Sequence, residues 1–326
     1  LITPSLSPSA PPAIPRGTVQ YAYTTDGNRA TMTLVGTGTT SYSWNAAHRL
    51  TALTNPYNET TSFTYFADRR LNQVTNPNTT TTAYTYTTRG FVYDITHRRS
   101  DNSLLNGSRY DYDATGNRLR ETELVGNRYS DYFYDASAQL TRFTERQIVG
   151  AQDPRGQYSD DTAIQDDSYA YDAVGNRLAL TDNLTSEQTL YNYDDFNKML
   201  TAGTRSFTYD ADGNCTSVAL QGGGVTRTYS WGYNNELLQI TYGGGGTNTF
   251  SYDGSGRRVT KTDSTGSYSF VYDGDRIISD GQTVYTRAGG SRLISERRGN
   301  DSRWHHSDGL TSTRTLTSST QAVTDT

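Results

Sequence analysis

The sequence has little with which to cross-link itself or hold a metal: one cysteine, Cys215, and four histidines in 326 residues. A single thiol excludes an internal disulfide framework. No apolar run approaches the roughly 20 residues that a membrane-spanning helix needs. No excess of positive charge is present either, since 29 Lys and Arg face 34 Asp and Glu for a net charge of −5. That balance argues against a nucleic-acid role, which calls for a basic face. Apolar residues make up 33% of the chain, and 26 of them are tyrosine. Aliphatic side chains are therefore too thin on average for a thick two-layered core of ordinary type. Apolar stripes at helical spacing are missing as well, and five of the eight prolines fall within the first fifteen residues. Residues 1–17 read as an extended Pro/Ser-rich tail, because proline cannot donate to a sheet ladder.

What the chain has in quantity is Tyr, Thr and Gly, which favour strands and tight turns. It also repeats. YDATGNRLRETE (Tyr112–Glu123) returns as YDAVGNRLALTD from Tyr171, YDADGNCTSVAL from Tyr209 and YDGSGRRVTKTD from Tyr252. A looser aromatic-x-aromatic pattern starts at Tyr21, Tyr42, Phe63, Tyr84, Tyr110, Tyr132, Tyr169, Tyr191, Phe207, Tyr229, Phe250 and Phe270. Most steps are 20 to 22 residues, with an insertion near 145–168. Regular self-similarity of this kind marks a building element rather than a catalytic site.

Each copy decodes as a β-hairpin. The two rings of Tyr110 and Tyr112 share a face, because strand side chains alternate. Asp113 and Gly116 have turn chemistry, the Asp bonding its own backbone and the Gly accepting positive φ. Asp172 with Gly175, Asp210 with Gly213 and Asp253 with Gly256 repeat the pair. Arg118 and Leu119 then open the return strand, and the recurrent arginines Arg29, Arg118, Arg177 and Arg258 are expected to pair with nearby Asp or stack on Tyr. The class is all-β: repeated antiparallel hairpins in one continuous, curved or coiled strip over residues 18–280, about 24 strands long. Stacked neighbours hide the aromatic face that one hairpin cannot hide alone.

These residues closely resemble the YD-repeat, or Rhs-repeat, family, over about Tyr21 to Asp280. That family includes bacterial Rhs proteins, the C components of insecticidal toxin complexes, wall-associated bacterial proteins and the animal teneurins. A second match lies in the C-terminal segment 281–326, where His306-Ser307-Asp308-Gly309-Leu310-Thr311-Ser312-Thr313-Arg314 is similar to the family's H-x-D-x-L-G-S-T-R motif. Thr311 stands where the family usually has Gly. The resemblance implies a sheet strip coiled into a hollow shell which, in toxin systems, encloses a cytotoxic domain. About 24 strands at ~4.8 Å make a strip of roughly 115 Å. Closed into one ring, this is too narrow to enclose a 100-residue domain comfortably, so the chain reads as part of a shell or as a short strip with another purpose.

The leading expectation is therefore a structural shell segment of a larger Rhs-type protein that encapsulates and delivers a toxin or effector domain. Its expected partners are the rest of that shell, the cargo, and other chains through unpaired sheet edges. The alternative is an extracellular adhesion module binding glycans or protein, or a self-assembling surface protein. No enzyme and no cofactor are expected: Ser, His and Asp occur without a nucleophile elbow, and adjacent His305 and His306 point to opposite faces of a strand and cannot share a metal. Asp153-Pro154-Arg155-Gly156 matches a family self-cleavage motif on paper, but it lies in the insertion and reads as a loop. Asp160, Asp161, Asp166 and Asp167 read as a solvated acidic loop, without the ligand spacing of an EF-hand. A first residue of Leu rather than Met, with no signal pattern, suggests a processed product or fragment, and the resemblance implies secretion or cell-surface display.

Overall fold

A computed structural model describes residues 17–149, 161–288 and 292–325. Every regular element among them is a strand. The first sheet has 23 strands, from Val19–Tyr23 to Gly266–Ser269, each antiparallel to the next in sequence. Two-residue periodicity and short polar turns leave each strand no nearer partner than its successor. The strip is open, its first and last strands being unpaired with each other. A second sheet of seven strands, Val271–Asp273 to Val323–Asp325, repeats the meander. The change of sheet falls at Phe270, within the last aromatic copy.

The register carries a defect in every well-formed hairpin. Tyr112 faces Arg118, but Asp111 faces Arg120, so Leu119 is an extra residue. Leu178, Leu200, Leu238 and Val259 occupy the same bulge in their hairpins. Such bulges raise right-handed twist and bend the strand. The repeat's leucine thus serves curvature rather than packing, and Leu119 and Leu178 are each 41% exposed. Where the bulge residue is Thr51 or Thr141, its hydroxyl donates to the facing strand's carbonyl, Ser43 O or Phe133 O.

One expectation is corrected here. The second sheet folds back onto the tyrosine face of the first ten strands and makes a two-layered core. Leu50, Leu53, Phe63, Val74, Tyr84, Ile95 and Tyr110 meet Ala288 and Ile294 in one buried cluster. A chain-wide average hid this, because the aliphatic residues are concentrated where the layers meet. Buried threonines fill much of the remaining interface, among them Thr61, Thr80, Thr315 and Thr317. A second correction concerns the acidic insertion. Asp166 and Asp167 lie within a strand, Thr162–Tyr171, rather than in a loop. Asp166 accepts two bonds from Arg142 (2.6 and 2.8 Å), and Asp161 accepts from the Tyr129 hydroxyl. Asp160, the Asp153–Gly156 segment and the proline-rich tail lie outside the described residues.

Candidate functional site: the tyrosine face of the strip

The repeat residues come together as one module. Asp113 Oδ1 accepts from the backbone amides of Thr115, Gly116 and Asn117 at 2.7 to 2.9 Å, while Oδ2 takes the Asn117 side-chain amide. The Thr115 hydroxyl, with Asn117 and the backbone amides behind it, holds this carboxyl down at about 2. Asp172, Asp210 and Asp253 repeat the bonds to the second and fourth following amides, and their pKa values are lowered, chiefly by the Asn176 side chain, the Asn214 backbone amide and the Arg257 guanidinium respectively. Gly116, Gly175, Gly213 and Gly256 all have φ between 74° and 99°, which is why Gly is written there. Copies that lose this glycine keep the turn: His48, Arg69, Ala138, Asn197 and Asn235 take the same left-handed position.

The second aromatic has a role beyond packing that the sequence reading missed. The hydroxyls of Tyr65, Tyr86, Tyr112, Tyr171, Tyr193, Tyr209, Tyr252 and Tyr272 each donate to a backbone carbonyl in the preceding hairpin, at 2.6 to 3.1 Å. The acceptor is the residue at the Arg118-equivalent position, next to the bulge. Trp44 and Trp231 make the same bond through indole Nε1, to Arg29 O and Cys215 O. A bulge frees a carbonyl, and the next hairpin's ring satisfies it. The signal was in the sequence: the second aromatic is always Tyr or Trp, whereas Phe63, Phe207, Phe250 and Phe270 are allowed at the first.

Arg118, Arg177 and Arg258 stack on rings rather than reach for the turn aspartates, whereas Arg29 both stacks on Tyr21 and binds Asp273. Arg118 lies 4.2 Å from the Tyr110 ring centre and pairs with Glu121 at 2.9 Å. Arg177 lies over Tyr191, and Arg258 over Phe250 and Phe270. Between Arg29 and Arg118 the equivalents are Leu50, Leu71 and Val92, beneath the second sheet.

The C-terminal motif is the part of the second sheet that locks onto the strip. Asp308 accepts from the amides of Leu310 and Ser312, rebuilding the hairpin turn of the repeats. Its left-handed position is Thr311, at φ 67°. Arg314 binds Asp308 at 2.9 Å and reaches Glu121 at 3.5 Å, while Gly309 N donates to the Tyr110 hydroxyl. Burial, with the Glu121 charge behind it, pushes the Tyr110 phenol up to about 12. His306 packs edge-on against His97, ring centres 5.0 Å apart, and each accepts or donates one bond with a threonine, Thr317 and Thr82 respectively. Burial lowers their pKa values to about 3 and about 4. Thr313 takes the Nδ1 of His305, and Leu310 is 69% exposed.

Past Arg177 no second layer covers the tyrosine face among the described residues. From Arg177 to Ser269, Tyr191 is the one buried residue among those described. The inward positions there mix Arg177 and Arg258 with Met199, Cys215 and Leu237.

The chain is thus a curved strip of antiparallel hairpins, bulged at fixed positions and tied ring to carbonyl, and solved structures share this fold. It is similar to the Photorhabdus luminescens Tc holotoxin pore structure, with a TM-score of 0.74 and 19% identity over 94% of this chain and 17% of that one. It is likewise similar to the TcdB2–TccC3 structure, with a TM-score of 0.73 and 19% identity over 94% of this chain and 18% of that one. Among curated proteins, the tRNA3(Ser)-specific nuclease WapA of Bacillus spizizenii and the tRNA nuclease WapA of Bacillus subtilis are each 29% identical over 124 residues. That stretch is 37% of this chain and 5% of each relative, so the chain matches a small part of their length. No family model matches. Among the described residues, no helix is long and apolar enough to cross a membrane.

Proposed function

We propose that this chain is a wall segment of an exported YD-repeat shell that encloses a toxin or effector domain. The observation that carries this reading is the division of the tyrosine face. Its first ten strands are covered by the chain's own second sheet, and the stretch from Arg177 to Ser269 is left without a covering layer among the described residues. A curved sheet with tyrosine rings, Met199 and Leu237 on one face is suited to lie against another protein surface. The likeness to toxin-complex structures and to WapA supports a shell of this kind. The role is structural and non-catalytic, because the repeated Tyr, Asp and Arg side chains are committed to turns, carbonyls and rings.

The test is limited proteolysis of the natural polypeptide that contains this chain. The enclosed domain is expected to survive protease while the shell is intact, and to be digested once acid or denaturant opens it. Digestion of that domain at the same rate with the shell intact would refute enclosure.

A further inference from the structure

Along the stretch without a second layer, charge is sorted by face. Every charged residue within the strands from Arg177–Asp182 to Gly266–Ser269 alternates onto the tyrosine face, five cations against Asp182 and Asp263. The outward positions of the same strands are uncharged, most of them Thr and Ser. Both carboxylates are committed. Asp263 pairs with Lys261 at 2.7 Å, and Asp182 accepts from the Leu184 amide and the Thr185 hydroxyl of its own turn, each at 2.8 Å. The other four cations, Arg177, Arg205, Arg227 and Arg258, form no ion pair among the described residues. Arg205, Arg227 and Arg258 are exposed. Arg205 faces Leu220 and Arg227 faces Tyr242 in successive hairpins, which sets them about 10 Å apart along the strip.

The covered half shows how such charges are met. Arg29 binds Asp273 at 2.5 Å, Glu59 meets Arg297 at 3.3 Å and Glu121 meets Arg314 at 3.5 Å, each time a strip charge answered by the opposite charge from the second sheet. A guanidinium covered without a partner is costly, so a layer lying on the uncovered stretch has to bring anions. We propose that this stretch of the tyrosine face docks an acidic protein surface, whose Asp and Glu carboxylates meet Arg177, Arg205, Arg227 and Arg258. The inference rests on the shell reading and adds to it the chemistry of the enclosed partner. Four uncommitted cations spread over ten strands, with Met199, Phe207 and Leu237 between them, are too sparse for duplex nucleic acid, which carries a charge about every 1.7 Å. They suit a folded protein face, where separated carboxylates sit among apolar side chains and fix the register of docking.

The experiment is zero-length cross-linking with a carbodiimide, which joins an amine to a carboxylate, on the natural polypeptide that contains this chain. Arg205→Lys and Arg227→Lys keep the charge at exposed positions and supply the amine. Peptide mass spectrometry is expected to find positions 205 and 227 joined to Asp or Glu outside residues 1–326 of the same polypeptide. Such products should be at least tenfold more abundant than with Arg205→Gln and Arg227→Gln. Protease treatment of the same sample without cross-linker separates the two readings. If the domain is digested while the shell is intact, the shell reading fails and this inference with it. If the domain is protected but positions 205 and 227 give no such product, the acidic partner alone is refuted. Products joining them only to carboxylates of this chain, its own or those of a second copy, refute it equally.

Discussion

The Tyr-Asp pair is two devices side by side: the ring ties a hairpin to the one before it, and the carboxylate winds the turn that follows. Removing the first device alone is a mild change. Tyr252→Phe deletes the bond to Leu237 O and keeps the ring. It should destabilise the chain by about 0.5–1.5 kcal/mol, the net worth of a hydrogen bond whose acceptor can be partly rehydrated. Urea unfolding checks this, and an unchanged midpoint would show the ring acting by packing alone. The turn offers the opposite change. Thr311 is β-branched yet held at φ 67°, where such residues are strained. Thr311→Gly should stabilise by up to about 1 kcal/mol, read as a rise in the thermal midpoint. Most of this scale was legible: Asp, Gly and the paired rings announce turn and strand. The hydroxyl bond was equally visible, as the exclusion of Phe from the second position, but ring spacing alone accounts for packing and hides it.

At the level of elements, the seam between the sheets is sensitive to acid. His97 and His306 are neutral when buried, with pKa values lowered to about 4 and about 3, whereas an unfolded chain protonates them near 6.5. The unfolded state therefore binds more protons below that point, and stability falls with pH. The histidine contribution is complete above about pH 6.5. It declines as pH drops toward 4, and it levels off only when the folded rings also protonate. Arg292 and Arg287 lie near enough to oppose protonation of His97 and His305, and Glu296 stands 3.5 Å from His305. Thermal midpoints measured from pH 7.5 to 4.5 should fall, and His97→Gln should flatten the slope. Parallel slopes would remove the seam from this account. The turn aspartates act in a different window: with Asp113 held at about 2, their contribution is lost only as pH drops below 4. The second sheet's docking was the least legible feature. Its contacts join residues about 200 positions apart, such as Arg292 with Tyr84 and Gly309 with Tyr110, and no local pattern encodes such a meeting. The trace it leaves is the run Leu50, Leu71, Val92 where flanking copies write Arg29 and Arg118.

The whole molecule is then an open strip with two fates, covered by its own second sheet at one end and, among the described residues, uncovered along the other. Bulges at the leucine positions give it curvature, and the paired strand edges give it continuity. The chain carries its own reporter of what happens to the bare half. Cys215, the sole cysteine, lies opposite Tyr209 on that face, and burial raises its thiol pKa. The direct test of enclosure is the rate at which this thiol reacts with a disulfide reagent, in this chain alone and in the natural polypeptide that contains it. The account predicts at least a tenfold slower reaction in the longer polypeptide, restored when the shell is opened. Equal rates in the two would contradict it, because the tyrosine face would then have nothing against it.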